Sequence, residues 1–93
     1  MNGDHAIAEP EFFAALRGMK DESRMSVRAL SIATKVPSST LGGYFSGRHL
    51  PEDPDLVERL VRVLGVTDDE SILCWKHAAS TLVSARRSRR EGS

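Results

Sequence analysis

Three consecutive hydroxyl side chains near the middle of the sequence offer both donors and acceptors of hydrogen bonds. They stand in the run VPSSTLGGYFSG, directly after a proline, where a helix is expected to begin. The surrounding window 23–51 contains no Asp or Glu, although an even distribution of the 13 acidic residues would place roughly four there. On a chain of zero net charge, this window predicts a local surface that contacts a polyanion. Its lysine and arginines are Arg24, Arg28, Lys35 and Arg48, and the three consecutive hydroxyl residues are Ser38, Ser39 and Thr40.

The length and composition of the chain limit its class. Ninety-three residues fit one domain with one modest core. The lone Cys74 excludes an internal disulfide framework, is compatible with a reducing cytoplasm, and is expected to be a buried small hydrophobic residue. No run approaches the ~20 apolar residues that span a bilayer, and the polar start MNGDHAIAEPE is not a signal peptide. We therefore expect a cytoplasmic protein without a membrane partner.

The spacing of apolar residues and of helix-ending residues predicts five helices and no strand, hence an all-α fold. Pro10 opens the first helix, and Ser26 caps the second. Pro37 breaks the chain before the third helix, and Asp53 caps the fourth. A capping-box pattern at 67–70 marks the start of the fifth. The predicted spans are about 10–20, 27–34, 38–46, 54–64 and 68–85.

These elements divide the chain into three parts. We expect a flexible arm at 1–8, a helical domain at 9–85 and a basic disordered tail at 86–93. The tail carries four arginines and one glutamate, which is typical of a solvated segment or of one that contacts a polyanion. The aromatic residues of the third and fifth helices stand at core spacing; they are Tyr44, Phe45 and Trp75.

Residues 26–47 fit two short helices joined by a sharp turn, the helix-turn-helix arrangement. Ser31 is the small residue where the helices cross, Val36 is the apolar anchor of the turn, and Leu41 is the core residue of the second helix. Over about 12–66, the chain resembles the lambda-repressor-like (Xre/Cro-type) helix-turn-helix DNA-binding domains. The resemblance rests on FAALRGMK, VPSSTLGGYFSG, SGRHLP and LVRVLGV. It implies a five-helix bundle whose third helix reads DNA.

The resemblance also implies which residues contact DNA. The start of the third helix would contact bases and phosphates, its two glycines would face the groove, and the loop after it would add further contacts. The implied set is Arg28, Lys35, Ser38, Ser39, Thr40, Gly42, Gly43, Ser46, Arg48 and His49. Two positions depart from the family pattern. Val27 replaces a phosphate-binding Gln, and Lys35 replaces a Gly, at a cost of order 1 kcal/mol if it is left-handed. Lys35 is either a phosphate contact or a tolerated surface lysine.

Two adjacent glycines inside a predicted helix are unfavourable, because each costs about 0.5–1 kcal/mol relative to Ala. Either Gly42 and Gly43 let the helix approach DNA closely, or they pack against a neighbouring helix. Neither offers a side chain to a base, and the hydroxyls of 38–40 discriminate weakly among bases. We expect modest readout per monomer, with specificity supplied by Arg48 and His49, by DNA shape, by the flexible arm or by a second copy.

The expected function is double-stranded DNA binding of modest sequence specificity, by a nucleoid-associated transcriptional regulator or the DNA-binding domain of one. A protein–protein interaction module on the same bundle is the alternative. The sequence contains no nucleophile–base pair, metal-ligand spacing or phosphate-binding glycine loop, so we expect neither an enzyme nor a cofactor. Capping and solvation explain Asp53, Asp55 and Glu58 better than a hard cation does.

Oligomeric state and extent stay open at this stage. The fifth helix carries an apolar stripe that either covers helices one and four or pairs two copies into a homodimer on DNA. The stripe is Ile72, Trp75, Ala79 and Leu82. Further domains C-terminal to residue 93 are also compatible with the sequence.

Overall fold

The computed structural model describes residues 8–92, with the side chains of residues 8–89. This part of the chain contains five helices and no strand, which confirms the all-α prediction: α1 Glu9–Ser23, α2 Val27–Thr34, α3 Ser38–Ser46, α4 Pro54–Val63 and α5 Asp69–Gly92. Helix α4 packs against α2 and α5, while α1 packs against α3 and α5. The two short helices α2 and α3 also contact each other. This pair packs on the longer helices through contacts of α2 with α4 and of α3 with α1.

Side-chain caps define the starts of three helices. The Ser26 hydroxyl accepts a hydrogen bond from the Ala29 amide at 3.0 Å, and the Asp53 carboxylate accepts from the Asp55 amide at 3.0 Å. Both caps were predicted. At α5 the Asp68 carboxylate accepts from the amide of Ser71 at 2.9 Å. The capping residue is therefore Asp68, one residue later than the capping-box pattern at 67–70 implied.

Left-handed residues end the first three helices. Gly47 has a φ of +86°, and the Gly47 and Arg48 amides donate to the carbonyls of Tyr44 and Gly43, which is a Schellman motif. Lys35 has a φ of 63° and ends α2, as its position in the turn suggested. Helix α1 runs three residues beyond the predicted end, because its polar last turn stays helical until Arg24 turns left-handed at a φ of 60°.

The core is formed by buried apolar side chains from all five helices and from the segments after α2, α3 and α4. Val36 and Leu41 are buried, as predicted, and so are Tyr44 and Phe45. Trp75 is half-buried and meets the Phe12 ring edge-on, with 5.3 Å between the ring centroids. The other buried apolar residues are Phe12, Phe13, Leu16, Leu30, Leu50, Val57, Leu60, Val61, Leu64, Ile72, Ala79 and Leu82.

Helix α5 differs from the prediction in two ways. Cys74 is exposed rather than buried, because it lies about 200° around the helix from the buried Ile72. The helix also continues through Gly92, where a disordered tail was expected from residue 86. Its stripe is buried at Ile72, Ala79 and Leu82, so that face covers the bundle. The predicted arm lies, but for residue 8, outside the described residues. No helix of the described part is long and apolar enough to cross a membrane.

Candidate nucleic-acid interface

The turn between α2 and α3 is fixed by one short side-chain hydrogen bond. The Ser31 hydroxyl donates to the Val36 carbonyl at 2.6 Å, across the left-handed Lys35. The amide of Lys35 donates back to the Ser31 carbonyl at 2.8 Å, and the Val36 side chain is buried below. Ser31 is therefore more than a small residue at the crossing, because its hydroxyl also sets the angle at which α3 leaves the turn.

Two arginines outside the helix pair hold its ends in place. Arg59 of α4 donates to the Thr34 carbonyl at 3.2 Å, at the end of α2. Arg17 of α1 donates to the Phe45 carbonyl at 3.1 Å, near the end of α3. Neither was predicted, since the partners lie 25 and 28 residues apart in the sequence. Both bonds satisfy carbonyls at helix ends, where the intrahelical ladder leaves acceptors without partners.

The first turn of α3 presents hydroxyl groups to solvent. Ser38 and Ser39 are exposed, and their hydroxyls make no hydrogen bond within the part of the chain that the structure describes. Thr40 is half-buried. Ser46, at the other end of α3, is exposed, but its hydroxyl donates to the Gly43 carbonyl at 3.1 Å. The hydroxyls of Ser38 and Ser39 are therefore the ones available to bind a ligand.

The two adjacent glycines have different surroundings. A Cβ added at Gly42 would meet nothing within 4 Å, so this glycine leaves an open space on the outer side of α3. Gly43 is buried, and a Cβ there would lie 2.5 Å from Cδ2 of His49. The prediction that both glycines face the groove is thus wrong for Gly43. The loop after α3 folds back, the His49 amide donates to the Gly43 carbonyl at 3.2 Å, and the imidazole covers the glycine.

Three exposed cations occur in the segments that precede and follow α3. Arg28 and Lys35 are exposed on α2, and Arg48 is exposed on the loop after α3. Arg28 and Ile32, at i and i+4, share one side of α2, and Lys35 follows at its left-handed end. No acidic residue occurs between 23 and 51 to neutralise them. Arg28, Lys35 and Arg48 are thus exposed cations in the acid-free segment that contains α2 and α3.

Arg86 connects the loop after α3 to α5 and, through Glu9, to the start of α1. Arg86 of α5 donates to the carbonyls of Arg48 and Gly47, at 3.0 and 3.1 Å. Its guanidinium also contacts both carboxylate oxygens of Glu9, at 2.8 and 2.9 Å. Hydrogen bonds from Arg86, opposed in part by burial, lower the pKa of Glu9. Beside the loop lies a cleft of about 160 Å³, lined by Arg48, His49, Leu50, Glu52, Val83, Arg86 and Arg87.

Asp53 and Glu58 both have hydrogen-bond partners within the protein. Asp53 caps the helix, and Glu58 pairs with Arg62 at 2.9 Å and with Lys76 at 3.1 Å. Hydrogen bonds from these two cations lower the pKa of Glu58. Among the described residues, no group of three or more His, Cys, Asp or Glu side chains is arranged to hold a metal ion. Asp53 is thus accounted for as a cap and Glu58 as a partner of two cations.

A family model described as a helix-turn-helix domain matches residues 11–71, which is more than half of the chain. The chain belongs to the helix-turn-helix domain family. The match contains all of α2, α3 and α4, most of α1 and the first turn of α5. The rest of α5, including Arg86, lies beyond the span of the helix-turn-helix model. No curated protein and no solved structure matches the chain.

Proposed function

We propose that this helix-turn-helix domain binds double-stranded DNA, with α3 lying in the major groove, and that it serves as a transcriptional regulator or the DNA-binding part of one. The observation that carries the proposal is the outer face of α3. Ser38 and Ser39 are exposed at its start, Gly42 leaves space one turn on, and no acid lies nearby in the sequence. A helix that closely approaches the polyanionic wall of a DNA groove needs exposed polar groups, little side-chain bulk and no acidic residues nearby.

Phosphate contacts would provide most of the affinity. Arg28, Lys35 and Arg48 are exposed around the face and carry the required charge. Each cation that neutralises a phosphate adds about −0.9 to the slope of log K against log salt concentration. We therefore propose binding that weakens steeply with added salt, by a factor common to all sequences.

Base readout would be modest. The Ser38 and Ser39 hydroxyls are the side chains best placed to meet base edges, and a hydroxyl serves as donor or acceptor to many of them. Bidentate readers such as Arg, Asn or Gln do not occur on α3. We propose that DNA shape and pairing of two copies on DNA supply the remaining specificity. The domain would thus be a non-catalytic, cytoplasmic regulator of the lambda-repressor-like type, with or without further domains.

One observation favours a second function, protein binding. An apolar depression of about 230 Å³ lies between α1 and α5, and Leu73 of α5 is 65 % exposed. The depression is lined by Phe12, Ala15, Cys74, Trp75 and Ala78. An apolar surface of this kind is typical of protein contacts. It lies on helices other than α2 and α3, so the two functions are compatible in one molecule.

Fluorescence anisotropy with a labelled random duplex at low salt tests the proposal. We expect micromolar or tighter binding by the wild type and a several-fold loss for Arg28→Ala. Arg62→Ala is the matched control, because Arg62 is an exposed arginine of α4 that already pairs with Glu58. If the wild type does not bind, or if both variants lose the same affinity, α2 and α3 do not form the interface and the protein-binding alternative gains.

A further inference from the structure

Arg86 connects three parts of the fold that are distant in sequence. From the last third of α5 it reaches Glu9 at the start of α1 and the carbonyls of Gly47 and Arg48 in the loop after α3. Its Cζ also lies 5.9 Å from the centroid of the Phe13 ring. The side chain is 26 % exposed, and four hydrogen bonds occupy most of its five N–H groups. Arg86 is thus committed to the protein and is not available as a DNA ligand.

The loop backbone is held from both sides as a result. On the side of α3, the Gly47 amide donates to the Tyr44 carbonyl and the Arg48 amide donates to the Gly43 carbonyl. On the side of α5, Arg86 binds the carbonyls of the same two loop residues. The Gly47–Arg48 peptide group thus has its C=O bonded to Arg86 and its N–H bonded to the Gly43 carbonyl. The Arg48–His49 group is bonded in the same way, through the Arg48 C=O and the His49 N–H, so neither group can rotate freely. The Cα–Cβ direction of Arg48 is therefore set by Arg86 as well as by α3.

We propose that Arg86 is a positioning residue for DNA binding: it fixes the loop after α3 so that Arg48 meets a phosphate. This inference rests on the proposed function. It assigns to α5, beyond the span of the helix-turn-helix family model, a part in the DNA interface without a DNA contact. Glu9 supports the role, since its two carboxylate oxygens hold the guanidinium plane in the orientation that faces the loop.

Arg87 provides a matched control. It is the next residue on α5 and carries the same charge, but it is 60 % exposed and pairs only loosely with Glu52, at 3.5 Å. Arg87→Gln removes the same charge from the same region without touching the loop backbone. Arg86→Gln removes the charge and also the planar fork that binds two carbonyls and a carboxylate. A general electrostatic effect would appear in both variants, whereas a positioning effect would appear only in the second.

The decisive experiment measures duplex affinity for Arg48→Ala in three backgrounds: wild type, Arg86→Gln and Arg87→Gln. We expect Arg48→Ala to weaken binding about fivefold in the wild type and in Arg87→Gln, but less than twofold in Arg86→Gln, where the Arg48 contact is already lost. An unchanged fivefold effect in Arg86→Gln would overturn the inference while leaving the proposed function intact. No effect of Arg48→Ala in the wild type would also overturn the inference, since the loop would then make no contact with DNA, whereas failure of the wild type to bind any duplex would overturn the proposed function.

Amide hydrogen exchange separates positioning from loss of stability. We expect faster exchange at the amides of Arg48 and His49 in Arg86→Gln, with α4 unchanged and with no change in Arg87→Gln. Uniformly faster exchange over all helices would mean that Arg86 only stabilises the fold. If circular dichroism shows Arg86→Gln unfolded at the assay temperature, Arg86→Lys replaces it, because it keeps the charge and loses the fork.

Discussion

Gly42→Ala separates the stability of α3 from its DNA binding. Gly42 lies inside α3, and a Cβ at this position would meet no other part of the protein within 4 Å. The methyl group therefore causes no clash in the free protein. It would point outward from the face that we propose to lie in the groove. Packing against a neighbouring helix, the other reason considered for a glycine here, does not apply to Gly42.

The free protein should become more stable. Replacing a helical Gly by Ala contributes about 0.5–1 kcal/mol, mainly because the unfolded chain loses conformational freedom. In a domain of this size, 1 kcal/mol raises Tm by roughly 4–8 °C, so the variant should melt about 2–8 °C above the wild type. Circular dichroism or calorimetry measures this directly.

Binding to DNA should become weaker in the same variant. If the backbone at Gly42 touches the groove wall, an added methyl group overpacks that contact, and overpacking costs about 1–3 kcal/mol. This corresponds to a Kd roughly 5- to 150-fold higher in an anisotropy titration. Stability and affinity would then change in opposite directions, which a general folding defect cannot produce.

Gly18→Ala is the control for this experiment. Gly18 lies inside α1, is exposed, and has nothing within 4 Å of an added Cβ, so the same gain in stability is expected without an effect on DNA. A Gly42→Ala variant that is stabilised and binds DNA as tightly as the wild type would refute close approach at α3. A variant that is not stabilised would refute the reasoning about helix propensity.

Three further predictions concern charge and backbone. Lys35→Gly should relieve the left-handed backbone and stabilise the fold by about 1 kcal/mol in thermal melts, while lowering the salt slope of DNA binding by about 0.9. Arg48→Ala should weaken binding to all duplexes alike, whereas Ser39→Ala should change the ranking of duplexes selected from a random pool. Glu9→Gln should destabilise the fold at neutral pH: the lowered pKa of Glu9 means that its contribution is present above the ordinary value of 4.5 and is lost as pH falls through the lowered pKa. Melts of both proteins from about pH 7 to about pH 3 should therefore converge at the acidic end.

Each of these has an outcome that contradicts it. Lys35→Gly with an unchanged salt slope would make Lys35 a surface lysine without a phosphate. An Arg48→Ala effect limited to some sequences would make Arg48 a base reader. A Tm difference between Glu9→Gln and the wild type that persists at acidic pH would mean that the ion pair with Arg86 is not its source.

Local features explain why much of the fold was predictable. Ser26 and Asp53 cap their helices through atoms two or three residues away, and Gly47 ends α3 with the positive φ that only glycine adopts easily. Val36 of the turn and Leu41 of α3 are buried because the helix pair has one apolar side. Each of these features depends on residues only a few positions apart in the sequence. The start of α3, with its exposed serines, is predictable for the same reason.

Features that depend on distant residues were not predictable. The contact of Arg86 with Glu9 spans 77 residues, so the sequence around Arg86 alone predicts a disordered basic tail at 86–93. The burial of Gly43 depends on a loop that folds back and brings His49 over it. In both cases the local sequence is typical of a solvated segment. The observed contacts form only because α1, α3 and α5 pack together in the folded domain.

The most direct test of the account is the salt dependence of duplex binding by the wild type and by the triple variant Arg28→Ala, Lys35→Ala and Arg48→Ala. If these three exposed cations neutralise phosphates, the slope of log K against log salt should become less negative by about 2.7 in the triple variant, with circular dichroism unchanged. An equal slope for both proteins, or no binding by the wild type at low salt, would contradict the claim that this face of α2 and α3 binds DNA.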